Sequence, residues 1–277
     1  MSNAKRQTRI GTAIGTAGGY FALALALTLG AACRRHPAVA DAPLHVAAAA
    51  DLSEAFPEIG KAFEKATSRK VTFSFGATGL LAKQVEQGAP FDVFAAANVA
   101  FVDDVIAAGA CDPATKATYA VGRIVLWTRS DAGVVPTSIA DLARPDVVRV
   151  AIANPEHAPY GKAAKEALLK SGIWAAIAGK IVYGENVQQA LQFAQSGNAE
   201  VAIVALSLAT VSGGHATPID PALYDPLTQA LVVCRGALAS EGRLAPDARR
   251  FAAYVVSDEG RGILRRYGFS PPISSAR

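Results

Sequence analysis

Four stretches of this 277-residue sequence end a strand-like run in small residues and then open an amphipathic helical pattern. They are Ala47-Ala48-Ala49-Ala50-Asp51-Leu52-Ser53, Phe75-Gly76-Ala77-Thr78-Gly79-Leu80, Asn154-Pro155-Glu156-His157-Ala158-Pro159-Tyr160-Gly161 and Tyr183-Gly184-Glu185-Asn186-Val187-Gln188. A helix starting at such a junction leaves backbone N–H groups unpaired in its first turn, with the positive end of its macrodipole behind them. Such a terminus is suited to an anion. Small side chains let the backbone approach the ligand closely. Taken singly, each is an ordinary strand-to-helix turn, and Asp51 and Thr78 are ordinary N-cap residues. Four in one chain, two on each side of the segment 123–128, point to a cleft between two lobes.

Other chemistries find no residues. There is no G-x-G-x-x-G opening a helix, no phosphate-binding Walker loop, no C-x-x-C, no H-E-x-x-H and no G-x-S-x-G. The four histidines, His36, His45, His157 and His215, are scattered without metal-ligand spacing. His157, three residues before Tyr160, reads as a loop histidine making a structural hydrogen bond. Lys83 and Lys162 read as solvated helix faces rather than counter-charges. Catalysis is not expected.

The elements that must hold the four junctions follow from periodicity. Strands are expected at 44–50, 70–75, 91–96, 123–128, 148–153, 180–183, 199–204 and 230–235. Helices are expected at 53–67, 80–87, 101–108, 161–170, 187–196, 247–256 and 258–267. In the first helix Ala55, Phe56, Ile59, Ala62, Phe63 and Ala66 share one stripe. Strands separated by helices of this length imply βαβ units, an α/β class and mostly parallel sheets.

Residues 1–40 hold Lys5, Arg6, Arg9, Arg34 and Arg35 and no acid, which leaves −1 of the chain's formal +4 for residues 41–277. A basic nucleic-acid binder is therefore excluded. The charged start followed by the apolar run Tyr20–Leu29 reads as a secretory leader. Ala38-Val39-Ala40 offers one cut, before Asp41; Gly30-Ala31-Ala32-Cys33 offers a lipoprotein box with Cys33 as membrane anchor. Cys111 and Cys234 remain in the body. An oxidising compartment allows a bridge between them, and two separate buried thiols are the equal alternative.

The junction motifs, with A-A-A-D-L at 48–52, G-A-T-G-L-L-A-K-Q at 76–84, G-A-P-F-D-V-F at 88–94, N-P-E-H-A-P-Y-G at 154–161, E-N-V at 185–187 and R-Y-G-F at 266–269, resemble those of the ModA family. These are the periplasmic molybdate-binding proteins of bacterial ABC importers. The resemblance runs from about Leu44 to Pro272. It implies a two-lobed, type II periplasmic-binding-protein fold with two crossing strands, near 119–123 and 230–233. Lobe one is then 41–121 with 231–272, lobe two 122–230, and 273–277 a tail. It further implies capture of molybdate or tungstate without a cofactor, delivery to an inner-membrane ABC permease, a periplasmic location and a monomer.

The resemblance places ligand contacts on Ala50, Asp51, Thr78, Tyr160 and Val187, through hydroxyls and backbone amides. Two positions depart from the family pattern. Ala205 stands where some members carry a tyrosine, for which the Tyr160 phenol is a substitute from another direction. Asp51 stands where a hydroxyl or amide is usual, and a carboxylate beside a dianion is costly. Three resolutions are open: the Asp51 side chain turns away to cap the following helix through the N–H of Ser53 or Glu54, which is preferred; it is protonated and donates a hydrogen bond; or the ligand carries a proton. The competing readings are an exported binding protein or sensor for another oxyanion or a small carboxylate, and an enzyme pairing Asp51 with His157.

Overall fold

The computed structural model describes residues 43–236 and 246–272. The expected leader with Cys33, both cutting points and the 273–277 tail lie outside the described residues. In chain order the first half runs β1 (Leu44–Ala49), α1 (Ala55–Thr67), β2 (Val71–Gly76), α2 (Thr78–Glu86), β3 (Val93–Ala96), α3 (Val99–Ala107), β4 (Ala117–Gly122) and β5 (Ile124–Thr128). It continues with β6 (Val150–Ala153), α4 (Pro159–Lys170), α5 (Trp174–Ile177), β7 (Ile181–Gly184), α6 (Val187–Gln195), β8 (Val201–Ala205), α7 (Leu206–Ala209) and β9 (His215–Pro218). Strand β10 (Leu227–Val233) and helices α8 (Pro246–Val255) and α9 (Asp258–Arg266) complete the described chain.

Two five-stranded sheets result, ordered β2-β1-β3-β10-β4 and β7-β6-β8-β5-β9. The strands that alternate with helices pair in parallel: β1 with β2 and β3, β6 with β7 and β8. The strands that link the sheets pair antiparallel: β10 with β3 and β4, β5 with β8 and β9. The sheets are thus mixed rather than mostly parallel, because the linking strands enter from the opposite sense. Arg123 alone separates β4 of the first sheet from β5 of the second. The return spans 219–226, earlier than 230–233, because residues 227–233 already form a first-sheet strand.

Helix α1 shows how the pattern works. Phe56, Ile59 and Phe63 bury its inner stripe, where Phe56 and Phe63 pack edge-on against Phe251 of α8. The helix ends at Ser68, which adopts the left-handed conformation (φ 59°) and gives its N–H to the Glu64 carbonyl. It starts at Ala55, later than expected, because Ala50–Leu52 forms a separate 3-10 turn. Two strands escaped the periodicity. β4 lies in the region read as a crossing, and β9 (HATP) carries Pro218, which only an edge strand tolerates.

Cys111 and Cys234 are joined by a disulfide, with Cα atoms 3.9 Å apart. That decides between the two readings left open by the sequence. No helix among the described residues is long and apolar enough to cross a membrane.

Candidate functional site

The four junctions meet. Ala50 and Asp51 from the turn after β1, Thr78 at the start of α2, Tyr160 at the start of α4 and Val187 at the start of α6 line one cavity, together with Gly76, Ala77, Ala97, Ala158 and Asn186. The room inside it for the centre of a water-sized sphere is about 10 Å³, roughly what a single water needs. The space suits a small, compact ligand.

Local sequence builds each wall. Helices α2 and α4 have alanine at the N-cap, Ala77 and Ala158, and neither has a side-chain cap. The first-turn N–H groups of Thr78 and Tyr160 therefore have no acceptor within their helices. At α6 the Asn186 carboxamide takes the N–H groups of Gln188 and Gln189, at 3.0 and 3.1 Å. The Val187 N–H, at the first helical position, has no acceptor within its helix. Gly161 is required where α4 meets β6, since a Cβ there would lie 2.1 Å from the Ala153 carbonyl oxygen.

Thr78 is buried, and its Oγ1 accepts the Ala97 N–H at 3.3 Å. The hydroxyl proton is thereby free to point elsewhere. Across the cleft, the Gly79 N–H donates to the His157 carbonyl at 2.9 Å, joining the start of α2 to the loop before α4.

Asp51 departs from expectation. It caps nothing: α1 has no side-chain cap, and the carboxylate turns inward instead. Its Oδ2 accepts the Tyr160 hydroxyl at 2.9 Å and the Gln229 Nε2 at 2.6 Å. Gln229 also donates to the Tyr160 oxygen, at 3.0 Å. The three side chains form a closed triangle, and Asp51 is wholly buried. Oδ1 and the Gln229 Oε1 are buried without a hydrogen-bond partner. Burial pushes the Asp51 carboxyl up to about 6, against the opposing pull of the bonds from Gln229 and Tyr160 and of its own nearby backbone N–H. The Tyr160 hydroxyl is pushed well above its usual range by burial and by Asp51 beside it.

The Tyr160 phenol is therefore committed to Asp51, which corrects its reading as a stand-in for the missing tyrosine. Ala205 lies buried opposite Ile124 in the β5–β8 ladder, outside the cavity wall. His157 Nε2 lies 3.1 Å from the Glu185 carbonyl, bracing two loops of the second sheet. Its ring has no hydrogen bond or ion pair with a carboxylate among the described residues, and the Asp51 carboxylate bonds Tyr160 and Gln229 instead. Lys83 is exposed, and Lys162 pairs with Glu166 at 3.6 Å. The wall of the cavity carries no lysine, arginine or histidine among the described residues.

Sequence reasoning missed Gln229 and Ser207. Gln229 is a carboxamide in the buried run LTQALVV, where an interior amide requires partners. Ser207 donates its hydroxyl to the Asp51 carbonyl at 2.7 Å, fixing the 50–52 turn from α7.

The model of the bacterial extracellular solute-binding protein family matches residues 44–270. The chain is 36% identical over 249 residues to the molybdate-binding protein ModA of Rhodobacter capsulatus, covering 90% of this chain and 94% of that protein. It is 31% identical over 259 residues to a putative ABC transporter substrate-binding lipoprotein of Bacillus subtilis, covering 91% and 96% respectively. The solved periplasmic molybdate-binding protein of Azotobacter vinelandii superposes with a TM-score of 0.75 at 27% identity, over 83% of this chain and all of that one.

Proposed function

The chain belongs to the bacterial extracellular solute-binding proteins, within the molybdate-binding ModA group, and on that premise we propose that it captures molybdate or tungstate for import by an ABC permease. The observation that carries this reading is the convergence of the α2, α4 and α6 first turns and the 50–52 turn on one small cavity without a cationic side chain. A dianion entering it exchanges water for fixed N–H and O–H donors at Ala50, Thr78, Tyr160 and Val187. Hydrogen bonds to a charged group contribute about 1.5–3 kcal/mol each. A few of them therefore hold the anion without any counter-charge.

A rigid donor ring also selects by size. Sulfate, a smaller tetrahedron, leaves donors unreached, and a buried unsatisfied donor is costly. Ligand bridging the two halves stabilises their closed arrangement, and the permease reads that population shift. In this reading the protein carries its ligand and performs no chemistry. It works in the periplasm, as a free monomer after removal of the leader, or tethered through Cys33.

Isothermal titration tests the proposal. Molybdate and tungstate are expected to bind strongly, with sulfate and phosphate weak. Absent heats for the first two, or strong binding of a small carboxylate instead, would overturn it.

A further inference from the structure

The carboxyl group in the cavity wall has a definite protonation geometry. Both groups that reach Oδ2 are donors. Gln229 Nε2 carries only hydrogens, and because it also donates to the Tyr160 oxygen, the single Tyr160 proton goes to Asp51. Oδ2 is thus restricted to accepting. A proton on this carboxyl has one place to sit, on Oδ1, which is the oxygen without a protein partner.

No opposite charge among the described residues offsets a charge there, although the bonds from Gln229, Tyr160 and the nearby backbone N–H favour the ionised form in part. The groups facing Asp51 are the Tyr160 hydroxyl from α4, the Gln229 amide from β10 and Tyr119 from β4, with the Ser207 hydroxyl from α7 on its carbonyl. All are neutral, and the carboxyl is wholly buried. Adding a dianion to this wall places like charges together in a dry site, the arrangement that most strongly favours the neutral acid.

Building on the molybdate reading, we infer that Asp51 meets the anion as a neutral carboxylic acid, with its Oδ1–H donating a hydrogen bond to a ligand oxygen. The balance is one dianion and one proton from solvent taken up together, with no bond broken in the ligand. Burial already holds the free carboxyl at about 6, so near neutral pH the proton arrives with the anion. Asp51 then serves as a specificity residue, favouring ligand oxygens that accept. A ligand bearing its own proton meets two donors in opposition.

The measurement is titration of wild-type protein with sodium molybdate in pairs of buffers that differ in ionisation enthalpy, from about pH 5 to about pH 8. Uptake of about one proton per anion is expected near pH 8 and little near pH 5. Above pH 6 the affinity should fall about tenfold per pH unit. Asp51→Asn puts an amide donor where the Oδ1–H stood and a carbonyl where Oδ2 stood. It should bind molybdate without proton uptake and outperform wild type by tenfold or more near pH 8.

Molybdate binding with no proton taken up near pH 8 overturns the inference and leaves the molybdate reading standing. So does a folded Asn variant whose affinity keeps the wild-type pH slope. Where that variant does not fold, the wild-type proton count alone decides. Preference for hydrogen phosphate with no net proton uptake overturns both, as does the absence of molybdate heats at every pH.

Discussion

The Tyr160 hydroxyl donates to Asp51 Oδ2 across 2.9 Å, and the bond joins residues that belong to different sheets. Asp51 follows β1 in the first sheet, while Tyr160 opens the helix after β6 in the second. With Gln229 on the linking strand β10, the bond makes a polar tie beneath the ligand site. Tyr160→Phe removes one donor to a buried carboxyl. Near pH 8, with Asp51 ionised, the loss should be about 1.5–3 kcal/mol, and near pH 4, with Asp51 neutral, about 1 kcal/mol. Chemical denaturation at the two pH values measures the difference. Equal losses would mean that the bond does not sense the Asp51 charge.

Asp51 itself gives the unliganded protein a pH dependence of definite sign. Its folded-state carboxyl titrates at about 6, above the 3.8 of an ordinary aspartate. The stability it contributes is complete below about pH 4 and is lost as pH rises through about 6. A displacement of that size corresponds to about 3 kcal/mol. Without ligand, Asp51→Asn should match wild type near pH 4 and exceed it by about that amount near pH 8. A constant difference across the range would contradict the buried-charge account.

Gly79 packs directly on the loop before α4. A Cβ at this position would lie 2.9 Å from the His157 carbonyl oxygen and 3.1 Å from a Phe101 ring carbon. It would press on the backbone bond that joins α2 to the loop before α4. Alanine is the better helix former by up to about 1 kcal/mol. Because the nearest neighbour is backbone and has to shift, this strain should outweigh the gain in helix propensity, so Gly79→Ala should lower the melting temperature and weaken molybdate binding together. Calorimetry and thermal melts on one preparation read both.

In the proposed capture of the anion, the Thr78 hydroxyl proton is the side-chain donor from the first lobe. Thr78→Ala should cost about 10- to 100-fold in affinity, equivalent to one hydrogen bond to a charged acceptor. Thr78→Ser should recover most of it. An alanine variant with wild-type affinity would remove Thr78 from the site.

The junctions were legible because they rest on local rules: small residues ending a strand, then a polar or glycine residue opening a helix. Within those junctions it was the family resemblance that singled out Ala50, Asp51, Thr78, Tyr160 and Val187, and the structure gathers them on one wall. The direction of the Asp51 side chain was not legible. It depends on Gln229, 178 positions away, and Tyr160, 109 away, and no local pattern carries such a pairing. β9 was hidden similarly, since HATP becomes a strand only by pairing with β5.

The Cys111–Cys234 bridge spans 123 residues. Chain entropy for a loop of that length predicts about 4–5 kcal/mol of stabilisation. Reduction, or the double serine variant, should lower the melting temperature accordingly. Neither cysteine touches the ligand cavity, so molybdate affinity should stay within about twofold. A large affinity loss in a folded variant would show that the bridge shapes the cleft.

The same bridge turns the polypeptide into a lasso. Everything from β4 through the whole second sheet to β10 lies between the two sulfurs, so it forms one covalent ring rooted at the first sheet's margin. Should the ring's contents melt, their ends stay pinned a few ångströms apart. Refolding then starts from a tethered noose rather than an open thread, and the second sheet cannot wander from its partner.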